Sequence, residues 1–326
     1  MRNNEKAYEI LNKITMGWNL GNFLDAHDKK FDLNNAQSKS INYVVNLWHN
    51  PVFNYNCLDT LKKANINCIR IPITWCNFIN IDNNVVIIST NFIEYLKEIV
   101  DKALASGFVV IIDMHHDDQT WLKVACTKKE FKRVCNIYKQ LWTKISYIFK
   151  DYNENLVFEG MNEIIDRSDP EYYDWLGKKK VFFKRISKLY KVFIESVRQF
   201  SDNNKERVIM ISTYGAQIHD IALKNFKYPK DDNIIVDLHF YSKHTDIEYY
   251  NRKFEYVKKY LINKNIPIIL GEIGTKKGFE QNIEIIKVYK KYADSLNIKC
   301  VLWDNGKGRR FVDRTSGKLT IDFTDF

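Results

Sequence analysis

Short runs of apolar and β-branched residues recur along the chain: Ile14–Leu20, Asn67–Ile73, Phe108–Met114, Leu156–Met161, Val208–Thr213, Ile234–Tyr241, Ile266–Glu272 and Ile298–Asp304. Several are apolar at nearly every position, as in Val109-Val110-Ile111-Ile112. That pattern suits a strand covered on both faces, as in a parallel sheet. Between the runs lie apolar residues at helical spacing: Phe92, Leu96, Ile99, Val100, Ala103 and Leu104; Ile186, Leu189, Phe193, Val197 and Phe200; Ile283, Ile286, Tyr289, Ala293 and Leu296. Eight strands alternating with helices predict an α/β chain with a parallel sheet, and eight is the number that closes a (β/α)8 TIM barrel. An open doubly wound sheet is the alternative. No repeat, low-complexity linker or break in composition divides residues 1–326, so a single domain is expected. After Asp304, neither Lys307 to Arg314 nor Gly317 to Phe326 carries helical spacing. The last barrel helix is therefore expected to be short or missing, which puts barrel closure in question.

Composition narrows the class. A hydrophobic content of 45%, with Trp 7, Tyr 19 and Phe 20, supplies a sizeable core and excludes a disordered chain. No run approaches the roughly 18 apolar residues of a membrane-spanning helix. Lys+Arg 50 against Asp+Glu 40 gives a net charge of +10, and positive charge can attract nucleic acid or anionic membrane. Here the lysines are scattered, the longest basic run is Lys178-Lys179-Lys180, and no nucleic-acid fingerprint is present, so neither is an expected partner. Cys57, Cys68, Cys76, Cys126, Cys135 and Cys300 are dispersed, with no CxxC or Cys–His metal spacing. Cys68 and Cys300 sit in strand-like segments as small hydrophobes, and most of the six are read as reduced, one bridge staying open. Met1 to Lys13 is charged and amphipathic without the apolar stretch of a secretory signal. Two compartments fit: the cytoplasm for the chain as it stands, or secretion with a leader removed. No exposed apolar stripe is evident, and a monomer is expected.

Polar and aromatic residues gather at the C-terminal ends of the strand candidates: Asn19 and Asn22, Arg70, His115 and His116, Asn162 and Glu163, His239 and Tyr241, Glu272, and Trp303. In a barrel those ends converge on the face that carries active sites. Glu163 and Glu272 follow buried strands, where an unpaired charge is costly. An ion pair with Arg70 would account for one of them. Acids on the fourth and seventh strands, however, face each other across a barrel mouth, and two carboxyls are the minimal machinery for cleaving a glycosidic bond. One protonates the leaving oxygen, and the other attacks the anomeric carbon.

Taken in order, Gly17-Trp18-Asn19-Leu20-Gly21-Asn22, Ile69-Arg70-Ile71-Pro72-Ile73-Thr74-Trp75, Asp113-Met114-His115-His116-Asp117, Asn162-Glu163, His239-Phe240-Tyr241, Gly271-Glu272 and Trp303-Asp304-Asn305-Gly306 resemble glycoside hydrolase family 5, the cellulase family. Asp25, Trp48-His49-Asn50-Pro51 and Trp121 look most like its endo-β-1,4-glucanase and xyloglucanase branch. The resemblance implies that Glu163 is the general acid/base and Glu272 the nucleophile of a retaining mechanism that needs no cofactor or metal. It places Arg70 and Tyr241 on the nucleophile, Asn162 on the sugar 2-hydroxyl, and His115 and His239 along the cleavage subsite. Trp303 would be an apolar platform for the sugar, with Asn22 and Asp304 in contact or support and Trp121 a further platform. The rate is expected to fall at low pH as Glu272 takes up a proton and at high pH as Glu163 loses one.

Departures are visible. Ile164 follows Glu163 where many relatives have Pro, and His49 stands where the nearest branch often has Gly. Adjacent strand residues point to opposite faces, so His115 is expected at the mouth and His116 in the scaffold. The substrate implied is a β-linked polysaccharide or oligosaccharide: cellulose-like β-glucan first, with xyloglucan, mixed-linkage glucan and mannan as alternatives. Two readings from other classes share the same face. One is a non-catalytic glycan-binding barrel, excluded by turnover; the other is a metallohydrolase on His115, His116 and His239, supported by sensitivity to chelators.

Overall fold

The computed structural model describes residues 3–28, 36–169, 174–177, 179–276, 282–321 and 323. Eight strands lie where the apolar runs predict them: β1 (Gly17–Leu20), β2 (Cys68–Ile71), β3 (Val109–Ile112), β4 (Leu156–Glu159), β5 (Ile209–Ser212), β6 (Ile234–Ser242), β7 (Ile268–Thr275) and β8 (Lys299–Asp304). All pair in parallel, and β1 against β8 closes the ring, with Gly17 opposite Val301 and Asn19 opposite Trp303. The open-sheet alternative is thereby excluded. The lysine run of the sequence lies partly outside the described residues, at Lys178.

Alternation along the strands sorts the barrel into layers. Cys68, Val109, Ile111, Val157, Met210, Ile235, Ile269 and Val301 point inward and form an apolar floor. Helix α1 (Glu5–Lys13) seals it from below with Ala7, Ile10 and Leu11, which explains the amphipathic N-terminus. Gly17 is required here, because a Cβ would meet Val301 at 2.8 Å. Two residues further along, the inward positions of most strands turn polar. Asn19, Arg70, Asp113, Glu159 and Asp237 are all fully buried there. The outward residues, such as Ile69, Ile71, Val110, Ile112 and Phe158, join the core shared with the helices.

Those helices include α2 (Ile41–Leu47) and α3 (Asn56–Lys63) before β2, α4 (Thr90–Ala105), α5 (Lys128–Ile148), α6 (Lys180–Val197), α7 (Asp202–Glu206), α8 (Asp220–Asn225), α9 (Ile247–Tyr260) and α10 (Ile283–Ser295). Their starts follow local chemistry. Ser89 caps α4, and Thr127 with Glu130 makes a reciprocal capping box on α5. Among the described residues no helix is long and apolar enough to cross a membrane, and all six cysteines are free.

The expected loss of the last helix holds: no helix follows β8 among the described residues. The inferred weakness in closure does not. A small hairpin, Val312–Asp313 with Lys318–Leu319, lies against α3, where Thr60 Oγ1 donates to the Gly317 carbonyl at 2.5 Å. Arg314 then donates to the Asp304 carbonyl at 2.7 Å and the Gly21 carbonyl at 2.7 Å, fastening the hairpin to both strands of the closing seam.

One irregularity decides the chemistry. Leu238 pairs with Leu270, but the next residue, His239, pairs with Glu272, so Gly271 is the extra residue of a bulge in β7. Regular alternation would turn Glu272 outward; the bulge turns it into the mouth. Gly271 allows this because its N–H donates to Asp237 Oδ1 at 2.7 Å, and a Cβ there would lie 2.2 Å from the same oxygen.

Candidate active site

The site is built around a cation. Arg70, 0% exposed, forks onto Glu159 through Nε and Nη2 at 2.7 Å each. Its Nη2 also lies 2.7 Å from Asp113 Oδ2 and donates to Asn162 Oδ1 at 2.9 Å. Nη1 donates to Asn19 Oδ1 and Glu272 Oε1, both at 3.0 Å. Burial disfavours the charged guanidinium, but Glu159, Asp113 and Glu272 outweigh it and keep its pKa raised. Burial likewise pushes the Asp113 carboxyl up to about 6, although Arg70 pulls it back.

Above this layer stand the two glutamates named by the sequence. Glu272 is fixed at both oxygens, by Arg70 on one and by the Tyr241 hydroxyl at 2.7 Å on the other. Burial raises its pKa; His239 and Arg70 draw it down, Glu163 adds to the rise, and the Tyr241 bond lowers it. Glu163, its side chain 23% exposed against 6% for Glu272, opens toward solvent. One oxygen of each glutamate and a nitrogen of His239 lie within 4.8 Å of one another. His239 links the pair to the interior, with Nδ1 2.8 Å from Glu163 Oε1 and Nε2 2.9 Å from Asp237 Oδ2. Burial opposes a charge on this ring, yet Glu272, Asp237 and the bonds to Asp237 and Glu163 raise its pKa well above the usual histidine range.

That shift has a measurable consequence. A group whose folded pKa exceeds its unfolded value, about 6.5 for histidine, stabilises fully below that value. It loses the contribution as pH rises through the folded pKa. Urea unfolding followed from weakly acidic to strongly alkaline pH should show wild-type stability declining on the alkaline side, with the decline flattened in His239→Gln. Equal slopes in the two proteins would contradict a charged His239.

The remaining sequence candidates divide. Asn162 gives its oxygen to Arg70, which turns its amide nitrogen toward His115 Nε2 at 3.4 Å. His115 Nδ1 meets Asp113 Oδ2 at 2.7 Å. The His115 ring lies parallel to Trp303 with centroids 5.5 Å apart. Trp303 is 8% exposed, and Gly21 leaves room for it, since a Cβ there would sit 2.8 Å from the indole. Asn22 is partly exposed at the rim in the left-handed region at φ 59.

Two expectations need correcting, and a third, for Asp304, narrows to support. His115 and His116 lie beyond the end of β3, where alternation no longer holds; their rings contact at 4.3 Å, and both face Asp25 on one side of the mouth. Trp121 is only 4% exposed and donates to Asp117 Oδ1 at 2.7 Å, so it pins a loop and offers no open platform. Asp304 follows inward-pointing Trp303 and therefore faces outward. Its carboxylate takes Trp18 Nε1 at 2.9 Å, the Phe311 and Val312 amides and Arg314, a supporting role away from sugar.

His49 adopts φ 57, a left-handed conformation that favours glycine, which is the physical content of that departure. Trp48 packs against both His27 and His116, with ring centroids 5.4 and 5.8 Å away. The ligand set of the metallohydrolase reading is not assembled: His115 and His116 share Asp25, whereas both nitrogens of His239 are engaged by Glu163 and Asp237. Sequence reasoning passed over Glu159 and Asp237. The signal was a single acid inside an otherwise apolar, doubly buried strand, which demands a buried partner.

A closed (β/α)8 barrel carrying two close carboxyls at its mouth, one clamped by Arg and Tyr and one open to solvent, is the architecture of a glycoside hydrolase. Comparison with known proteins narrows this. Residues 24–309 match cellulase (glycosyl hydrolase family 5), and the chain belongs to that family. Endoglucanase A of Clostridium longisporum is 30% identical over 332 residues, covering 96% of this chain; the chain spans 62% of that relative's length. A xyloglucan-specific endo-β-1,4-glucanase from a metagenomic library, solved with cellotriose, has a TM-score of 0.86 at 31% identity, covering 98% of this chain and 97% of its own. A broad-specificity endoglucanase from Ruminococcus champanellensis, also with cellotriose, has a TM-score of 0.88 at 25% identity, covering 98% and 97%.

Proposed function

We propose that this chain is a retaining endo-β-1,4-glucanase, cleaving internal bonds of β-glucans by double displacement without a cofactor. The observation that carries the reading is the spacing of Glu163 and Glu272, whose nearest described oxygens fall within 4.8 Å. A retaining pair stands about 5–5.5 Å apart, and an inverting pair about 6.5–9.5 Å, to admit water between acid and sugar. Glu272 attacks the anomeric carbon as the glycosidic C–O bond breaks, and the proton of Glu163 passes to the leaving oxygen. Water then attacks the glycosyl–Glu272 ester, giving its proton to Glu163 and releasing Glu272. The greater exposure of Glu163 suits a group that must meet both leaving group and water. Asn162 is placed to hold the 2-hydroxyl, a contact that strengthens as the anomeric carbon gains positive charge. Trp303 and His115 form one wall for the sugar.

The relatives support cellulose-like β-1,4-glucan as substrate class, with xyloglucan, mixed-linkage glucan and mannan as the alternatives. Reducing-sugar release from carboxymethyl cellulose, mixed-linkage β-glucan, xyloglucan and glucomannan tests the proposal. Turnover on at least one soluble β-glucan is expected, with fluid viscosity falling early as internal bonds break. Folded protein inert on all four would favour the glycan-binding reading.

A further inference from the structure

Asp25, fully buried beside the mouth, uses one oxygen to accept the Phe23 amide at 2.8 Å. Its other oxygen, Oδ2, has no hydrogen-bond partner. Two imidazole nitrogens face that oxygen, His116 Nε2 at 3.8 Å and His115 Nε2 at 4.0 Å, too far for hydrogen bonds. The three donor atoms lie within 4.8 Å of one another. Asp25 and His116 have no part in the hydrolysis derived above.

We propose that Asp25, His115 and His116 form a binding site for a divalent transition-metal ion such as Zn2+, and that its occupancy blocks the glucan subsite. The donor set is what zinc takes, two imidazoles and one carboxylate with a position left open. Around a tetrahedral ion with bonds near 2.1 Å, donors stand about 3.4 Å apart. The gaps of 3.8 and 4.0 Å between Asp25 and the two imidazoles must therefore close by about half an ångström, within reach of small side-chain rotations. The surroundings already set the right tautomer. Asp113 takes the Nδ1 proton of His115 at 2.7 Å, which leaves Nε2 unprotonated; its lone pair meets only the long 3.4 Å contact from the Asn162 amide, which an ion held with Asp25 would displace. A carboxylate behind a ligating histidine is the usual second support of a metal site. His116 Nδ1 lies 3.1 Å from the Gln119 amide, whose carbonyl, after an amide flip, accepts the Nδ1 proton and frees Nε2. Because His115 also lines the sugar wall with Trp303, an ion on its Nε2 withdraws it from substrate.

Isothermal titration with Zn2+, and with Co2+ read by its visible spectrum, tests the site. One ion per chain is expected for wild type and for Glu163→Gln, which disables the neighbouring Glu163–His239–Glu272 group. Binding should be lost in Asp25→Asn and in His116→Gln. His116→Gln also serves as the second variant, since its side chain is 19% exposed, and a thermal melt close to wild type checks that it folds. No ion on wild type, ions retained in both Asp25→Asn and His116→Gln, or loss in Glu163→Gln instead would each overturn the proposal. The blocking step rests on the glucanase reading: apparent KM should double at free Zn2+ equal to its Kd, with kcat unchanged. The binding isotherm does not rest on it, so the two readings fail separately.

Discussion

Glutamine in place of Glu272 is expected to leave roughly a thousandth or less of wild-type kcat on a soluble β-glucan, because loss of a covalent nucleophile removes a whole pathway rather than one contact. The fold should survive. The amide keeps the volume of the carboxylate and can still accept from Arg70 or Tyr241, and a buried group whose carboxyl is pushed up by desolvation gives up a desolvation cost when it loses its charge. Thermal unfolding of Glu272→Gln should therefore stay close to wild type, separating chemistry from stability. Truncation assigns the two roles. In Glu272→Ala, with an activated aryl β-glucoside, added azide enters the vacated space and attacks the anomeric carbon, displacing the phenol and leaving an α-glycosyl azide. In Glu163→Ala the glycosyl–Glu272 ester still forms from that substrate, and azide attacks it from the opposite side to give a β-glycosyl azide. Nuclear magnetic resonance of the two products decides the assignment. A β-azide from Glu272→Ala would reverse the roles proposed for the two glutamates.

Much of this was legible because barrel strands are chemically polarised. Val157-Phe158-Glu159-Gly160-Met161-Asn162-Glu163 announces both a buried strand and a functional end, as does Ile268 to Glu272. What stayed hidden depends on register and side-chain direction. Alternation alone would have turned Glu272 away from the mouth; only the bulge at Gly271, invisible without a paired strand, brings it in. The same rule misled at His115-His116, where the strand had already ended; applied from Trp303, it decides between contact and support for Asp304. The hairpin Ile79–Asp82 with Val85–Ile88 escaped notice because Asn83 and Asn84 supply its left-handed turn without glycine. Asp117 shows why loop scaffolds are hard to read. It accepts the amides of Trp75 and Cys76, distant in sequence, and the indole of Trp121 close by.

Arg70→Met should be the most destabilising single substitution on the polar layer. The side chain lies wholly inside the barrel, on a carboxylate fork to Glu159 with Asp113 and Glu272 beside it. Methionine fills similar space but leaves those carboxylates without the cation, and breaking a buried pair from one side costs about 3–5 kcal/mol. Against a typical total of roughly 5–15 kcal/mol, that is a large share of the fold's stability. Arg70→Lys should recover only part of it, since an ammonium cannot reproduce the planar fork onto Glu159. The cause can be isolated in two ways. Glu159→Gln added to Arg70→Met removes one stranded charge, so the double variant should be more stable than Arg70→Met alone. Without Arg70, the folded-state pKa values of Glu159 and Asp113 move further above their unfolded values. A raised carboxyl is not penalised while protonated, so the deficit of Arg70→Met should shrink as pH falls and widen as pH rises through those values. Urea unfolding of the four proteins at mildly acidic and neutral pH measures both effects. A deficit that ignores pH and is not relieved by Glu159→Gln would mean that Arg70 acts by packing. Stability regained in the double variant without regained turnover would separate its two duties: neutralising the barrel interior, and holding Glu272 through Nη1 for attack.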